Sequence, residues 1–331
     1  MALLVVCVGK LDLRIFFSLT LSLKVREKFL INFIYHVNVE EGHGLTTFPE
    51  TEAFLRNCSS GRNSDSFFSL EEQETINLRV AHENLLAKIN KEELASDYGL
   101  LEVSLLEETH RLILQDIPLP KGFTKPGRMS NNLRVTEFKG ELYYYANPED
   151  MESAVSNLLD KYNFLFDSCT KGKGELKDFD DFYSLFKTCA WLLFELLDLH
   201  PFSDGNGRLC RILCSYSLSK LNPFPTPIYN VWTDSCKHDY IEALVEARRS
   251  PGRHPCALTT MMIECSYYGW ESFFKVLDEE AKSRTCVKDA SLIQTMAEEC
   301  LLSPPTQKFE SAYKHSHTLQ YIPCSVQFCV C

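Results

Sequence analysis

The sequence has few long hydrophobic runs, and none reaches the roughly 18 residues that a membrane-spanning helix requires. Residues 1–9 and 15–23 are largely apolar, but charged residues separate the two runs. The positively charged segment that opens a signal peptide is missing ahead of the first run. We therefore expect a cytoplasmic protein, with a membrane or secretory role through residues 1–23 as the alternative.

Basic residues are fewer than acidic ones: the sequence has 34 Lys and Arg and 45 Asp and Glu, which gives a formal net charge of −11. A nucleic-acid surface needs clustered Lys and Arg, so no nucleic-acid partner is expected. The fourteen Cys lack the paired spacing of a zinc site. Several, such as Cys189, Cys210 and Cys214, lie within apolar helical patterns, where a reduced thiol behaves as a small buried hydrophobe. The glycine-rich motifs of the standard nucleotide-binding folds are absent as well.

Helical periodicity fills the middle of the chain. One helix is predicted to begin after Ser69 as N-cap and to run through Ile89. Further helices are predicted at about 104–114, 150–166, 180–199, from Gly207 onward, at 236–249 and around 270–277. The helix at 180–199 is apolar on nearly all sides, which predicts a central position. Strand-like runs at 133–138 and 141–145 flank a Lys-Gly turn and predict one hairpin, so the fold class is mainly α with a small β-hairpin.

One stretch concentrates polar chemistry directly after the central helix: His200-Pro-Phe-Ser-Asp-Gly-Asn-Gly-Arg-Leu-Cys-Arg211. Its Asp-Gly-Asn-Gly segment is a turn former, and helical periodicity resumes at Arg208. Gly205, Asn206 and Gly207 are therefore expected at a helix N-terminus, where free backbone N–H groups and the positive dipole end favour an anion.

The charged residues around this turn suit a bound nucleotide. Arg208 and Arg211 share a helix face and can clamp a di- or triphosphate. Asp204 can ligate a divalent cation held by those phosphates. His200, with an ordinary pKa near neutrality, can deprotonate an attacking hydroxyl. Any one of these residues alone is explained by a helix cap or a surface charge, but together on one loop they predict a phosphate site.

The stretch also resembles the signature of the Fic-domain family, His-x-Phe-x-Asp/Glu-Gly-Asn-Gly-Arg-x-x-Arg, with every fixed position filled. The resemblance implies a Fic-type helical core with a small β-hairpin flap, and an enzyme that transfers AMP from ATP to a protein hydroxyl. It implies His200 as general base, Phe202 as the anchor of the loop, and Asp204 as the ligand of Mg²⁺, or of Mn²⁺. Gly205, Asn206, Gly207 and Arg208 would bind phosphates, and Arg211 the γ-phosphate.

The likeness extends over about residues 31–280. The hairpin resembles the flap that registers a target peptide by strand addition, with an ordinary solvated edge as the alternative; its relevant residues are Arg134, Val135, Thr136 and Glu137. Tyr240 and Arg248 resemble residues that contact the nucleotide base, although many members carry Asn where this chain has Arg248.

Residues 37–46 resemble the inhibitory motif Ser/Thr-x-x-x-Glu-Gly/Asn of many Fic proteins. Glu41 takes the position of the inhibitory Glu, Glu40 is a competing candidate, and Val37 and His43 depart from the pattern. Glu41 can pair with Arg211 and occupy the γ-phosphate site, which predicts autoinhibition. A solvated acidic helix end is the alternative.

These features predict four segments: an N-terminal extension (1–30), an inhibitory-helix segment (31–66), a Fic-type catalytic domain (67–280) and a disordered tail (281–331). The leading hypothesis is a protein adenylyltransferase that uses ATP and Mg²⁺ and acts on a Ser, Thr or Tyr hydroxyl of a target protein. A de-AMPylating phosphodiesterase, the transfer of another nucleotide or phosphate-containing group, and a nucleotide-binding module without activity are the alternatives. A homodimer is left open.

Overall fold

A computed structural model of the protein describes residues 23–59, 67–92, 100–170, 179–229 and 237–285. Most of the predicted N-terminal extension, residues 1–22, and most of the predicted tail, residues 286–331, lie outside the described residues. The chain divides into a main unit that ends at Phe273 and a second unit from Phe274, of which only the end of one helix is described. No helix in the described ranges is both long and apolar enough to cross a membrane.

The described part of the chain is mainly helical, with one two-stranded antiparallel sheet. In chain order the elements are α1 (Leu23–Glu41), α2 (Phe48–Ser59), α3 (Leu70–Glu92), α4 (Val103–Ile113), β1 (Val135–Phe138), β2 (Glu141–Tyr144), α5 (Met151–Thr170), α6 (Phe179–Leu199), α7 (Asn206–Leu218), α8 (Lys237–Arg249) and α9 (Cys256–Thr285). The predicted fold class, mainly α with a small β-hairpin, is confirmed.

Helix α6 lies at the centre of the core and packs against α5 and α7. Its side chains are buried around most of the helix circumference, with Leu185, Leu193 and Phe194 fully enclosed. Burying an aliphatic side chain of this size contributes about 1.5–3 kcal/mol. The end of α6 is therefore a rigid platform, and the polar stretch that begins at His200 starts directly from it.

Local capping chemistry sets several helix boundaries. At the start of α3 the backbone N–H of Ser69 donates to Glu72 Oε2 (2.8 Å), and the N–H of Glu72 donates to Ser69 Oγ (3.2 Å). This reciprocal capping box satisfies two N–H groups that lack helical partners, and it confirms Ser69 as N-cap. Asp150 caps α5 in a similar way, accepting the N–H of Ser153 (3.1 Å).

Other boundaries differ from the sequence prediction. Helix α1 begins at Leu23, inside the predicted extension, and α2 is a second helix within the predicted inhibitory-helix segment (31–66). Helix α9 runs for 30 residues, where periodicity indicated only about residues 270–277. In α1 and α9 apolar side chains face more than one neighbour, so the one-sided stripe on which periodicity depends is weak.

The hairpin pairs Val135 with Tyr144 and Glu137 with Leu142, which places these four residues on one face. That face is exposed to solvent. The opposite face carries Tyr143 and points toward the end of α6, since the Tyr143 hydroxyl reaches the carboxylate of Asp198.

Candidate active site

His200 occupies the position just after the last residue of α6, in a left-handed backbone conformation (φ 49°) that non-glycine residues rarely adopt. Its backbone N–H donates to the carbonyl of Leu196 (3.0 Å). Its Nδ1 lies 3.2 Å from the carbonyl oxygen of Leu197. Because a carbonyl only accepts hydrogen bonds, Nδ1 carries the proton and Nε2 keeps a free lone pair. This tautomer is the one that a proton acceptor needs.

The surroundings of His200 keep its ring neutral. Burial lowers the pKa of His200 from 6.5 to about 4; the Leu197 carbonyl opposes this, and the charges of Arg134 and Arg248 reinforce it. The ring stacks on Tyr145 with centroids 3.9 Å apart and an interplanar angle of 13°. At neutral pH the imidazole is thus unprotonated and held against one aromatic face.

Asn206 closes the loop that follows His200. Its Oδ1 accepts the backbone N–H of Phe202 (3.0 Å), and its Nδ2 donates to the carbonyl of the same residue (2.8 Å). The Phe202 side chain is fully buried, which anchors the loop in the core. The side chain of Asn206 therefore shapes the loop, and its backbone N–H is left at the start of α7.

His110, which the sequence analysis did not identify as a site residue, holds the other side of the loop. Its Nδ1 accepts the N–H of Gly127 (2.8 Å), so Nε2 carries the proton and donates to the carbonyl of Asp204 (2.9 Å). The ring stacks on Phe202 at 3.8 Å, and burial lowers its pKa to about 4. It lies on the buried face of amphipathic α4, where a His resembles any other core position in the sequence.

The start of α7 has the geometry that favours an anion. Gly205, in a left-handed conformation (φ 76°), is the N-cap, and the first helical hydrogen bond runs from Leu209 N–H to its carbonyl (2.9 Å). The N–H groups of Asn206, Gly207 and Arg208 consequently have no partner within the helix. A Cβ on Gly207 would overlap the carboxylate of Glu41, so only glycine lets an oxyanion approach this helix end.

Arg208 is almost fully buried beside this site. Its Nη2 lies 3.3 Å from Asp204 Oδ2, and its Nη1 lies 3.6 Å from Glu74 Oε1. Within the described residues Nη1 is buried without a hydrogen-bond partner. A buried donor without an acceptor is costly, so this atom fits a ligand that brings oxygen atoms, such as a phosphate.

Asp204 fits the magnesium role that the sequence suggests. Its side chain is 33% exposed at the mouth of the anion site, and its Oδ1 accepts the N–H of Gly205 (2.6 Å). The part of the chain that the structure describes contains no group of three or more His, Cys, Asp or Glu able to hold a metal ion. One carboxylate beside a phosphate site is the arrangement that Mg²⁺ accepts, because phosphate oxygens and waters complete its shell.

Arg211 is paired with Glu41. Arg211 Nε donates to Glu41 Oε1 at 2.6 Å, and the guanidinium carbon lies 5.2 Å and 5.1 Å from the ring centroids of Tyr229 and Tyr240. Burial alone would raise the pKa of Glu41, but the Arg211 charge and hydrogen bond outweigh it and hold that pKa below the ordinary value. Glu40 also faces the Arg211 charge, yet burial dominates there and raises the pKa of Glu40. Of the two acids, Glu41 is thus the one whose ionised form is favoured by Arg211 over the opposing effect of burial.

The end of α1 is fastened to α3. Gly42 takes a left-handed conformation (φ 71°) and donates its N–H to the carbonyl of Asn38 (2.9 Å), which ends the helix directly after Glu41. Glu74 on α3 then accepts the N–H of Gly44 (2.7 Å) and contacts His43 Nδ1 (2.9 Å). These contacts fix the position of Glu41 opposite Arg211.

The remaining candidate residues have other partners. Tyr240 packs on Arg211, and Arg248 Nε donates to Asp198 Oδ1 (2.7 Å). Arg134 is buried and donates to backbone carbonyls, including that of Ser130 (2.9 Å). On β1, Val135 and Glu137 are exposed and Thr136 is half-buried. The structure therefore brings together residues 200–211 with Glu41, and it engages Tyr240 and Arg248 in packing and ion pairing within the protein.

The protein is thus mainly helical, and a neutral histidine shares one loop with a helix start whose first N–H groups have no partner within the helix. The family model of the Fic/DOC family matches residues 100–218. A Fido domain-containing protein of Dictyostelium discoideum is 30% identical over 137 residues, which cover 40% of this chain and 84% of that protein. The chain belongs to the Fic/DOC family.

A second relative, the ribonucleoside-diphosphate reductase small chain of Ostreid herpesvirus 1, is 29% identical over 156 residues. The match covers 46% of this chain but spans only about a quarter (24%) of that relative. A Fic domain-containing signaling protein of Bacteroides thetaiotaomicron has a similar fold (TM-score 0.57, 22% identity, 76% of this chain and 88% of that one). So does Fic-1 of C. elegans (TM-score 0.55, 17% identity, 84% and 73%). At these identities the two structures support the fold alone.

Proposed function

We propose that this protein is an adenylyltransferase that moves AMP from ATP to a Ser, Thr or Tyr hydroxyl of a target protein and is restrained by Glu41. Membership of the Fic/DOC family implies the transfer of a nucleotide or phosphate-containing group to proteins. The observation that carries the proposal is the neutral His200, with Nε2 free, next to a helix start where the buried Arg208 has a donor without an acceptor.

The residues divide the reaction between them. His200 Nε2 takes the proton of the target hydroxyl as its oxygen forms a bond to the α-phosphorus of ATP. The bond between that phosphorus and the bridging oxygen breaks, pyrophosphate leaves, and the proton on His200 passes to solvent. The N–H groups at the start of α7 and Arg208 stabilise the charge on the phosphate oxygens. Mg²⁺ at Asp204 supplies further charge neutralisation when bound.

Glu41 restrains this reaction by competition. Its carboxylate lies against both Arg211 and Gly207, which is where the γ-phosphate would bind. A γ-phosphate at Arg211 would overlap and repel the Glu41 carboxylate, so ATP either displaces Glu41 or binds with its phosphates misplaced. The carboxylate is ionised at neutral pH, since Arg211 holds its pKa below the ordinary value against the effect of burial.

Labelling with α-³²P-ATP and Mg²⁺ tests the proposal. The variants are wild type, Glu41→Gly, Glu40→Gly as the matched control one residue away, and Glu41→Gly combined with His200→Ala. We expect weak labelling of wild type and Glu40→Gly, strong labelling of Glu41→Gly, and none of the double variant. Equal labelling of Glu41→Gly and wild type would contradict the restraint, and label retained by the double variant would contradict the role of His200.

The nucleotide is tested in the same assay. Glu41→Gly is incubated with γ-labelled ATP and, separately, with α-labelled UTP. We expect no protein-bound label from γ-labelled ATP, because the β- and γ-phosphates leave together as pyrophosphate. Stronger labelling from UTP than from ATP would replace AMP by UMP as the transferred group.

A de-AMPylating phosphodiesterase is the second candidate. It is favoured by one observation, namely that an ionised Glu41 lies beside the phosphate site and can activate a water molecule there. If this activity dominates, wild type releases AMP from a protein labelled by Glu41→Gly, and Glu41→Gly does not.

A further inference from the structure

A polar cluster ties the hairpin to the end of α6 and to α8. Asp198 on α6 is buried, and its Oδ1 accepts both the Tyr143 hydroxyl (2.5 Å) and Arg248 Nε (2.7 Å). Its Oδ2 accepts Arg253 Nη2 (2.8 Å). The guanidinium carbon of Arg248 lies 3.8 Å from the ring centroid of Tyr143, close enough for stacking. Two arginines and one hydroxyl thus converge on a single carboxylate, and they hold β2 in place.

Tyr145 follows β2 and is held by the same framework. Its backbone N–H donates to the carbonyl of Arg134 (3.0 Å), which continues the pairing of the two strands. The Arg248 guanidinium carbon lies 5.8 Å from its ring centroid. The Tyr145 ring also stacks on the His200 ring, with the two centroids 3.9 Å apart.

His200 needs such support because its own attachment is weak. Its left-handed backbone conformation costs about 1 kcal/mol or more for a residue with a Cβ. One hydrogen bond, from Nδ1 to the Leu197 carbonyl, restrains the ring, and its distance of 3.2 Å is at the long end of the usual range. A nearly parallel aromatic neighbour restricts the rotation that this bond leaves free.

We propose that Tyr145 is a positioning residue that orients the imidazole of His200, and that the Asp198–Arg248 ion pair holds Tyr145 in that place through β2. The inference rests on the proposed function, since it assigns how the general base of that reaction is aligned. It has a functional consequence: the hairpin and the base are coupled, so that His200 is aligned only when the hairpin is docked on α6 and α8.

Replacing Tyr145 tests the stack. In the Glu41→Gly background, Tyr145→Phe keeps the ring and Tyr145→Leu removes it, while Tyr144→Leu is the matched control on the opposite, exposed face of β2. A positioned general base contributes about 10²- to 10⁴-fold, so we expect Tyr145→Leu to lose about tenfold or more in kcat with an unchanged KM for ATP. Tyr145→Phe and Tyr144→Leu are expected to stay within about twofold of the parent. A kcat for Tyr145→Leu equal to that of Tyr144→Leu would overturn the inference.

The ion pair is tested by a double-variant cycle. If Arg248 acts through Tyr145, Arg248→Gln and Asp198→Asn lower kcat, and Arg248→Gln combined with Tyr145→Leu is no slower than Tyr145→Leu alone. Effects of Arg248→Gln and Tyr145→Leu that multiply would show independent roles and overturn the coupling.

The pH profile separates positioning from a general loss of folding. The charged groups that face His200 are Arg134, Arg248 and Asp204, and removing the Arg248 charge raises the pKa of His200. In Arg248→Gln the fall of kcat on the acidic side of its pH profile is then expected at higher pH than in the parent. A smaller folded fraction would instead lower kcat at all pH values without moving that fall. A fall at an unchanged pH would count against the proposal. Failure of the proposed function looks different, because Glu41→Gly would then carry no label that depends on His200.

Discussion

Mild acid is predicted to destabilise this protein through its buried histidines; burial lowers the pKa of His36 and His200 to about 4, and His82 and His110 are the most enclosed of the four. His82 and His110 are almost fully buried, and burial lowers the pKa of each from 6.5 to about 4. Between these two pH values both rings are neutral in the folded state and protonated in the unfolded state. The unfolded state therefore binds more protons, and the free energy of unfolding falls as the pH falls through this window.

The size of the effect follows from the same shifts. Each histidine contributes a slope that approaches about 1.4 kcal/mol per pH unit only below pH 6.5, so the pair removes roughly 3 kcal/mol between pH 6.5 and pH 5. That is a large part of the roughly 5–15 kcal/mol that stabilises a typical domain. Glu41 and Asp198, whose pKa values are lowered in the folded state, withdraw stability only as the pH falls below their ordinary values of 4.5 and 3.8. Measurements above pH 5 thus isolate the histidines from these carboxylates.

Urea unfolding at pH 7, 6 and 5, followed by the fluorescence of the buried Trp270, measures the slope. His82→Leu is the informative variant, because within the described residues His82 Nδ1 is buried without a hydrogen-bond partner. We expect the stability of His82→Leu to fall less steeply than that of wild type, by about 1 kcal/mol per pH unit between pH 7 and pH 5. Parallel slopes for the two proteins would refute the reasoning, since they would mean that His82 does not titrate on unfolding.

Three further predictions concern the loop and a cap. Gly207→Ala places a methyl group where the Glu41 carboxylate lies, so in the Glu41→Gly background it should abolish both ATP binding in calorimetry and labelling; retained binding would place the phosphates elsewhere. Asn206→Ala leaves the buried N–H and carbonyl of Phe202 unpaired and should cost about 2–4 kcal/mol in urea unfolding, whereas a loss under 1 kcal/mol would show that the loop closes without them. Ser69→Ala should cost about 1 kcal/mol of stability with labelling unchanged, and no change in the urea midpoint would contradict its capping role.

The features that the sequence predicted well are those whose cause is local. The capping box at Ser69 involves residues three positions apart, and the turn from Asp204 into α7 depends on the left-handed Gly205 within the turn itself. The central place of α6 follows from the composition of its own 21 residues. In each case the physical cause lies within one or two helical turns, which is the range that a pattern can report.

The contacts that the sequence missed are distant along the chain. His110 bonds to Gly127 and to Asp204, which are 17 and 94 residues away. Arg248 meets Asp198 across 50 residues, and Tyr240 on α8 meets Arg211 on α7, a separate helix. A sequence motif identifies the residues of the candidate site itself. The spacing of residues along the chain does not identify the distant residues that hold those site residues in place.

The surroundings of Arg211 indicate how the proposed restraint would be relieved. The guanidinium is buried between Tyr229 and Tyr240, so it cannot leave the site without losing both ring contacts. The segment after Gly42 is bonded to Glu74 on α3, so moving the whole end of α1 would break those bonds as well. Rotation of the Glu41 side chain breaks only its own pairing with Arg211. A phosphate of a bound nucleotide would form a new ion pair with Arg211 in place of the one with Glu41. Rotation of the Glu41 side chain therefore costs less free energy than movement of α1. The proposed enzyme can become active while α1 stays packed.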